Sequence, residues 1–404
     1  MGLETHEVSV QAAGIQAPRF EVDPLWPKPL PNHWVLGAAI GVTVDSDDHI
    51  WMLHRDSLEP REKYVTWNPP ASECCSPAPP VLEFNEAGDL IGSWGGSGRG
   101  YDWPGELHGI FFDYKGNIWI GGSGRRAPGV SAPATGGVSA PAAGGVSGAG
   151  GMARTAPSFD NMVLKFTKSG AFLMQIGKPN RSKGSNDTEN LKQPAKAIVD
   201  PKTNELYVAD GYGNRRVIVY DADTGKYKRH WGAYGHKPDD SLLPPYNPSD
   251  APPQQFGNVH CVALANDDLL YVCDRSNDRI QVFKTDGTFV KEAFIEKNTL
   301  GDGSVFDIAF SKDPQQKYLY IADGSNMKVH IVDRATVEVL TSFGDGGRQP
   351  GEFYAVHSIA TDSQGNIFTT ETYRGQRVQK FRYRGLAPVT AKNQGVVWPK
   401  QAHP

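Results

Sequence analysis

The sequence predicts an all-β protein, a six-bladed β-propeller, on three observations. One short unit recurs six times along the chain. Glycine and proline, 45 and 30 of 404 residues, make up about a fifth of the chain, and aromatics another 10%, the composition of many short strands joined by tight turns. At one register of the unit, histidine alternates with other residues from copy to copy.

Each unit pairs an apolar strand with a turn carrying Asp, Asn or Gly and a second strand bearing an aromatic. The first is Gly41–Asp45 with His49–Met52, and the second is Gly109–Asp113 with Asn117–Ile120. Lys196–Asp200 with Glu205–Val208 and Cys261–Leu264 with Leu270–Val272 follow. Asp307–Phe310 with Leu319–Ile321 and Ser358–Thr361 with Ile367–Thr369 complete the six. Third strands such as Arg216–Tyr220 and Arg279–Phe283 come next, and fourth strands end in aromatic-Gly, as at Trp94-Gly95, Trp231-Gly232 and Phe343-Gly344. Antiparallel units of this kind close radially, which keeps sheet edges short and protected. The sixth unit has no evident fourth strand after about Arg384, and Arg19–Val22 is placed to supply one. The expected organisation is an N-terminal extension over 1–33, a propeller over 34–385 and a C-terminal tail over 386–404. Two insertions interrupt it. Segment 56–80 carries six prolines, and 122–158 is Gly/Ala/Ser/Pro-rich without aromatics, too poor in apolar surface to offset its ordering entropy.

Charge and hydropathy narrow the function classes. Forty-one Lys plus Arg against 45 Asp plus Glu give a net charge of −4, which argues against a nucleic-acid partner. No apolar run approaches the ~20 residues that span a bilayer, and the start, Met1-Gly2-Leu3-Glu4-Thr5-His6, has neither the basic nor the apolar region of a signal peptide. Such a chain is also what processing of a longer precursor leaves. Of the four cysteines, Cys74-Cys75 form either a vicinal disulfide or two reduced thiols, and Cys261 and Cys273, on neighbouring strands, either pair or pack as thiols.

The residue just before each repeated motif is Ile40, His108, Ala195, His260, Phe306 and His357 in turn. Alternate blades of a six-bladed ring are related by roughly threefold symmetry, and innermost strands line the central tunnel. His108, His260 and His357 are therefore expected to converge on the axis at one height. Three neutral imidazoles with an open position form a catalytic type of zinc site, although iron, cobalt or copper also accept such ligands.

These residues carry a family resemblance. The stretches Gln193-Pro194 through Asp210-Gly211-Tyr212-Gly213-Asn214-Arg215, Val259-His260 through Lys284-Thr285, Val356-His357 through Phe381, Leu107–Ile110 and His54-Arg55-Asp56 resemble peptidyl-α-hydroxyglycine α-amidating lyases, six-bladed propellers of the NHL-repeat type. The resemblance spans about 40–384 outside the insertions. It implies catalytic zinc on His108, His260 and His357, with Tyr212 beside the metal as the base and Arg55 and Arg275 near the site. It also implies a structural calcium held largely by backbone carbonyls, at the positions of Val42, Ile110 and Ser358.

The implied activity is a metal-dependent lyase that cleaves the C–N bond of an α-hydroxylated amide, a small-molecule or peptide-like substrate. A cation lowers the pKa of the substrate hydroxyl, a phenolate accepts its proton, and Arg55 holds a carboxylate or assists Tyr212 through its charge. Two other readings stand beside it: a metal-dependent hydrolase of an ester, lactone or amide at the same site, and a non-enzymatic NHL propeller that binds a ligand or protein on one face. A monomer is expected, in a periplasmic or secreted location rather than the cytoplasm. Blander roles also exist for each residue. Tyr212 suits a blade turn, Arg55 a loop carboxylate, and Arg275 and Arg279 a brace to Asp274 and Asp278. His54 reads as structural, Trp51 and Trp119 as packing between blades, and Asp45, Asp113, Asp200 and Asp362 as turn residues that accept local backbone hydrogen bonds. The chain departs from the family at Ser358, where an Asp is usual, at Ala355, where a Met is usual, and at Gly213, where a Cys is usual. The two insertions have no counterpart there.

Overall fold

The computed structural model describes residues 14–55, 74–126 and 158–399. Among them lie six four-stranded antiparallel sheets, each a blade running outward from the tunnel. Blade one is Ala39–Val44, Ile50–His54, Val81–Phe84 and Leu90–Trp94. Blade two is Leu107–Phe112, Asn117–Gly122, Met162–Thr167 and Phe172–Gly177, and blade three is Lys196–Asp200, Glu205–Asp210, Arg216–Asp221 and Tyr227–Trp231. Blade four is Val259–Leu264, Leu269–Asp274, Arg279–Lys284 and Phe289–Phe294. Blade five is Asp307–Phe310, Tyr318–Asp323, Lys328–Asp333 and Glu338–Phe343. Blade six runs Val356–Thr361, Ile367–Glu371 and Arg377–Pro388, and its outer strand is Gln16–Asp23 from the far end of the chain. The innermost strands adjoin one another in sequence order, and the sixth returns to the first.

That closure uses segments that the sequence reading put in an extension and a tail. Gln16–Asp23 pairs along Arg377–Pro388 from Gln16 opposite Pro388 to Asp23 opposite Lys380. Beyond it, Ser342 and Gly344 of blade five donate backbone hydrogen bonds to the carbonyls of Lys392 and Gly395, and Val22 donates to Val397. The insertions are described only at their bases. Ser76–Pro77 pairs in parallel with Trp34–Val35, and Arg125–Arg126 pairs with Ser158–Phe159. The remainder of both, 56–73 and 127–157, lies outside the described residues.

Strands of alternating Val, Ile, Leu and aromatic residues bury both faces, because each sheet is packed between two others. Asp45 accepts from the backbone of Asp47 and His49 and from the Trp51 indole. Asp113 does the same for Lys115, Asn117 and the Trp119 indole. One aspartate thus fixes the turn and anchors the buried tryptophan of its own blade. Asp200 and Asp362 cap the equivalent turns of blades three and six. Cys261 lies opposite Cys273 in blade four and is bonded to it, and Cys74 is bonded to Cys75.

A second device recurs in blades three to six. The acid ending the second strand holds a cationic or imidazole side chain of the third. The pairs are Asp210–Arg216, Asp274–Arg279, Asp323–His330 and Glu371–Arg377. Arg216 is wholly buried. Its remaining donors reach the carbonyls of Ser185 at 2.8 Å, Asp187 at 2.5 Å and Asn190 at 2.9 Å. These braces fix the turns between second and third strands, and those turns surround one mouth of the tunnel.

Arg216→Ala leaves Asp210 charged and unpaired in the core, so denaturant unfolding is expected to show a loss of about 3–5 kcal/mol. Lys202→Ala, which breaks an exposed pair with Asp268, is expected to cost about 1 kcal/mol or less. Asp278 is buried, its Oδ2 has no hydrogen-bond partner among the described residues, and burial raises its carboxyl to about 7. The fold therefore keeps a proton that the unfolded chain releases near 3.8. That contribution is complete below pH 3.8 and is lost as the pH rises toward 7. Asp278→Asn, tolerated at the observed φ of 51°, is expected to flatten the pH dependence of Tm across that window.

Candidate metal centre

The three histidines converge. The ring centroids of His108, His260 and His357 lie 4.8, 4.8 and 5.0 Å apart, and one ring nitrogen from each lies within 4.8 Å of the others. Local irregularity aims them. Strand pairing skips between Leu107 and Ile110, between Val259 and Cys261, and between Val356 and Ser358. Bulges of this kind turn a side chain out of the alternating pattern.

Each ring is clamped by the next blade. Nδ1 of His108 donates to the Ala195 carbonyl at 2.8 Å, Nδ1 of His260 to Phe306 at 2.5 Å, and Nδ1 of His357 to Ile40 at 2.8 Å. The six register residues are thus three donors and three acceptors in alternation. Gly109 makes the first clamp possible. A Cβ there would sit 2.4 Å from the Ala195 oxygen, and its own N–H donates to that oxygen.

Because a carbonyl only accepts, Nδ1 carries the proton in each ring, and Nε2 presents a lone pair to the centre. Burial holds all three rings below their ordinary titration range, His357 to about 3, with the Arg55 and Arg275 charges adding to the effect. The hydrogen-bond count then falls short. The Tyr212 hydroxyl lies 3.0 Å from Nε2 of His108 and 2.9 Å from Nε2 of His260, yet it has one proton for two lone pairs. A divalent transition ion satisfies this set: three neutral imidazole nitrogens with an oxygen at the remaining face.

The sequence-derived residues gather at this face. Gly211 lets the Tyr212 turn lie against His260's strand, since a Cβ there would meet the Val259 nitrogen at 2.2 Å. Arg275 is buried, donates from Nη1 to the Tyr212 hydroxyl at 3.2 Å, and lies over the Phe306 ring at 4.7 Å. Its Nε has no hydrogen-bond partner among the described residues. Arg279 braces Asp274 and Glu292 instead, so the neighbouring arginines divide their work. Arg55 donates from Nε to the Leu107 carbonyl, one residue before His108, and pairs with Glu106 at 2.5 Å. His54 is buried, and its Nε2 lies 3.0 Å from the Pro79 carbonyl, consistent with a structural part.

Several residues at the site were given no role from the sequence. Phe306 packs on His260 and His357. Asp302 lies 3.8 Å from Arg275 and accepts from the Tyr373 hydroxyl at 2.6 Å, and Tyr373 has a φ of 50°. Val42 and Ile110 line a pocket of about 600 Å3 at the other end of the tunnel, while Ile110 and Ser358 also line a cavity of about 10 Å3 directly beneath the histidines. The Val42 N–H donates to Ser358 Oγ at 3.3 Å, and Ser358 donates to Asp307 at 2.7 Å. Asp45, His49 and Glu83 form a second cluster of potential ligands, but the Lys168 ammonium lies 2.9 Å from Asp45 and 3.4 Å from Glu83 and neutralises it.

Comparison with known proteins finds one repeat match and several distant similarities. Residues 256–283 match the NHL repeat. Peptidylglycine α-amidating monooxygenase of Rattus norvegicus is 26% identical over 210 residues, covering 50% of this chain and 20% of the relative. Peptidyl-glycine α-amidating monooxygenase B of Xenopus laevis is 27% identical over 194 residues, or 46% and 20%. The chain thus spans about a fifth of the length of these relatives. The virginiamycin B lyase of Staphylococcus aureus aligns over 90% of this chain and 89% of its own, at 12% identity and a TM-score of 0.44. The protein is a six-bladed β-propeller with an NHL repeat and a distant similarity to the amidating monooxygenases. No helix among the described residues is long and apolar enough to cross a membrane.

Elemental analysis after equilibration with zinc and gel filtration is expected to give one zinc per chain. His260→Ala is expected to lose that stoichiometric ion, whereas His236→Ala, at an exposed position outside the three-histidine cluster, keeps it.

Proposed function

We propose that this protein is a zinc-dependent lyase that breaks the C–N bond of an α-hydroxylated amide. The observation that carries the proposal is Tyr212, whose oxygen sits against two Nε2 atoms and under a donated Arg275 hydrogen bond. The amidating-lyase resemblance and the similarity to amidating monooxygenases support the same reading.

Zinc held by His108, His260 and His357 would supply Lewis acidity toward a substrate oxygen. Tyr212, acting as the phenolate, takes the proton of the carbinol hydroxyl. The electron pair left on that oxygen forms the C=O bond as the C–N bond breaks, and the departing amide nitrogen receives the proton back from Tyr212. Arg275, by donating to the tyrosine oxygen, stabilises charge that develops there while the proton is away. Arg55 lies beside the His108 strand, and its partner Glu106 is more exposed than Arg55 itself. A substrate carboxylate therefore exchanges with Glu106 and meets a bidentate donor. The two disulfides fit an oxidising, extracytoplasmic compartment.

Incubation with an N-acyl-α-hydroxyglycine is expected to release glyoxylate and the primary amide, and a chelator is expected to stop it. Tyr212→Phe is expected to lower kcat by ~10²–10⁴ with zinc content unchanged. Absence of metal-dependent glyoxylate rejects the substrate class, and a free carboxylic acid carrying solvent oxygen in place of the primary amide rejects the lyase reaction in favour of hydrolysis.

A further inference from the structure

One residue beyond each histidine-register position lies a second ring of inner-strand residues: Gly41, Gly109, Lys196, Cys261, Asp307 and Ser358. Two of these are charged. Lys196, on blade three, reaches Asp307, on blade five, with Nζ 2.5 Å from Oδ1. Both are largely buried, at 14% and 4% side-chain exposure. The other carboxylate oxygen, Oδ2, accepts from the Ser358 hydroxyl at 2.7 Å and from the Ile359 N–H at 3.2 Å. Ser358 Oγ in turn accepts from the Val42 N–H at 3.3 Å. A polar chain therefore crosses from blade three through five and six to blade one. Lys196 lines both the cavity of about 10 Å3 under the histidines and the pocket of about 600 Å3 beyond, so it stands at the partition between them.

The family resemblance implies a calcium ion at this level, on the carbonyls of Val42, Ile110 and Ser358. The residues present do not fit it. An ammonium already supplies the positive charge, and the one carboxylate there has both oxygens engaged by protein donors. A calcium ion takes 6–8 oxygen ligands, and a divalent ion placed beside a buried ammonium meets repulsion that a low-dielectric interior screens weakly. We infer that Lys196 takes the place of a structural divalent cation in this chain. The tunnel waist is closed by the Lys196–Asp307–Ser358 lock, and the propeller carries a single metal, at the three histidines.

The test uses the full chain equilibrated with millimolar calcium, passed through gel filtration and analysed for calcium and zinc in one digest. The inference expects no stoichiometric calcium and no calcium-dependent rise in Tm. It also expects Lys196→Met, which leaves Asp307 and Ser358 without the ammonium, to melt lower and to regain several degrees when calcium is added. Lys196→Met/Asp307→Asn removes both charges and is expected to fold and ignore calcium. One calcium retained per wild-type chain overturns the inference, and so does a folded Lys196→Met that is indifferent to calcium. Should the single variant fail to fold, the wild-type stoichiometry decides alone. Zinc is read separately, so failure here is distinct from failure of the three-histidine centre.

Discussion

The site depends on one interaction repeated three times: an imidazole N–H from an even blade donated to a carbonyl of the next odd blade. His108 reaches Ala195, His260 reaches Phe306, and His357 reaches Ile40. Each bond sets a tautomer, fixes a ring plane and leaves one lone pair facing inward. The third bond joins blade six to blade one, so the last ligand is in place only when the ring is closed. Ring closure in turn uses Gln16–Asp23 as the outer strand of blade six. The candidate centre is therefore a property of the closed ring and not of any one blade.

Much of this was legible in the sequence, for a definable reason. A propeller repeats its register, so Ile40, His108, Ala195, His260, Phe306 and His357 align by counting. Threefold symmetry then brings the alternate members together, as the ring centroids confirm. Counting misses what leaves no residue signature or does not keep the register. The role of the odd-numbered blades as carbonyl acceptors is carried by backbone atoms and leaves no residue signature. Glu106 and Asp302 come from loops between blades, and loop conformation is not periodic. Lys196 and Asp307 were visible one column away from the histidines, but their charges matter only once both are known to face the same tunnel. The brace from Asp210 to Arg216 and its three counterparts also repeats, yet its spacing drifts from five to seven residues, which blurs the pattern.

The braces explain how a turn positions chemistry with the precision a strand gives. Tyr212 lies between Asp210 and Arg216, and Arg275 lies between Asp274 and Arg279. Each turn is thus pinned at both ends by a buried ion pair with every charge engaged. Such pairs add little net stability over an apolar substitute. Their value here is geometric, because a turn whose ends cannot shift holds the tyrosine oxygen within 3.2 Å of three different donors or acceptors.

Burial also separates the two arginines at the centre. Arg55 and Glu106 are part-exposed, at 18% and 40% of their side chains, and an ion pair of that exposure is worth ~0–1 kcal/mol. An incoming anion can replace Glu106 at little cost. Arg275 is different. It is buried, stacked on Phe306 and bonded to Tyr212, and the Asp302 carboxylate stands 3.8 Å away. Moving it would strip a desolvated cation of its aromatic and hydroxyl contacts and leave nothing equivalent in return. Arg55 is thus the exchangeable cation and Arg275 the fixed one. A ligand entering this mouth meets a charge that lets go of its partner on one side and a charge already committed to the tyrosine on the other.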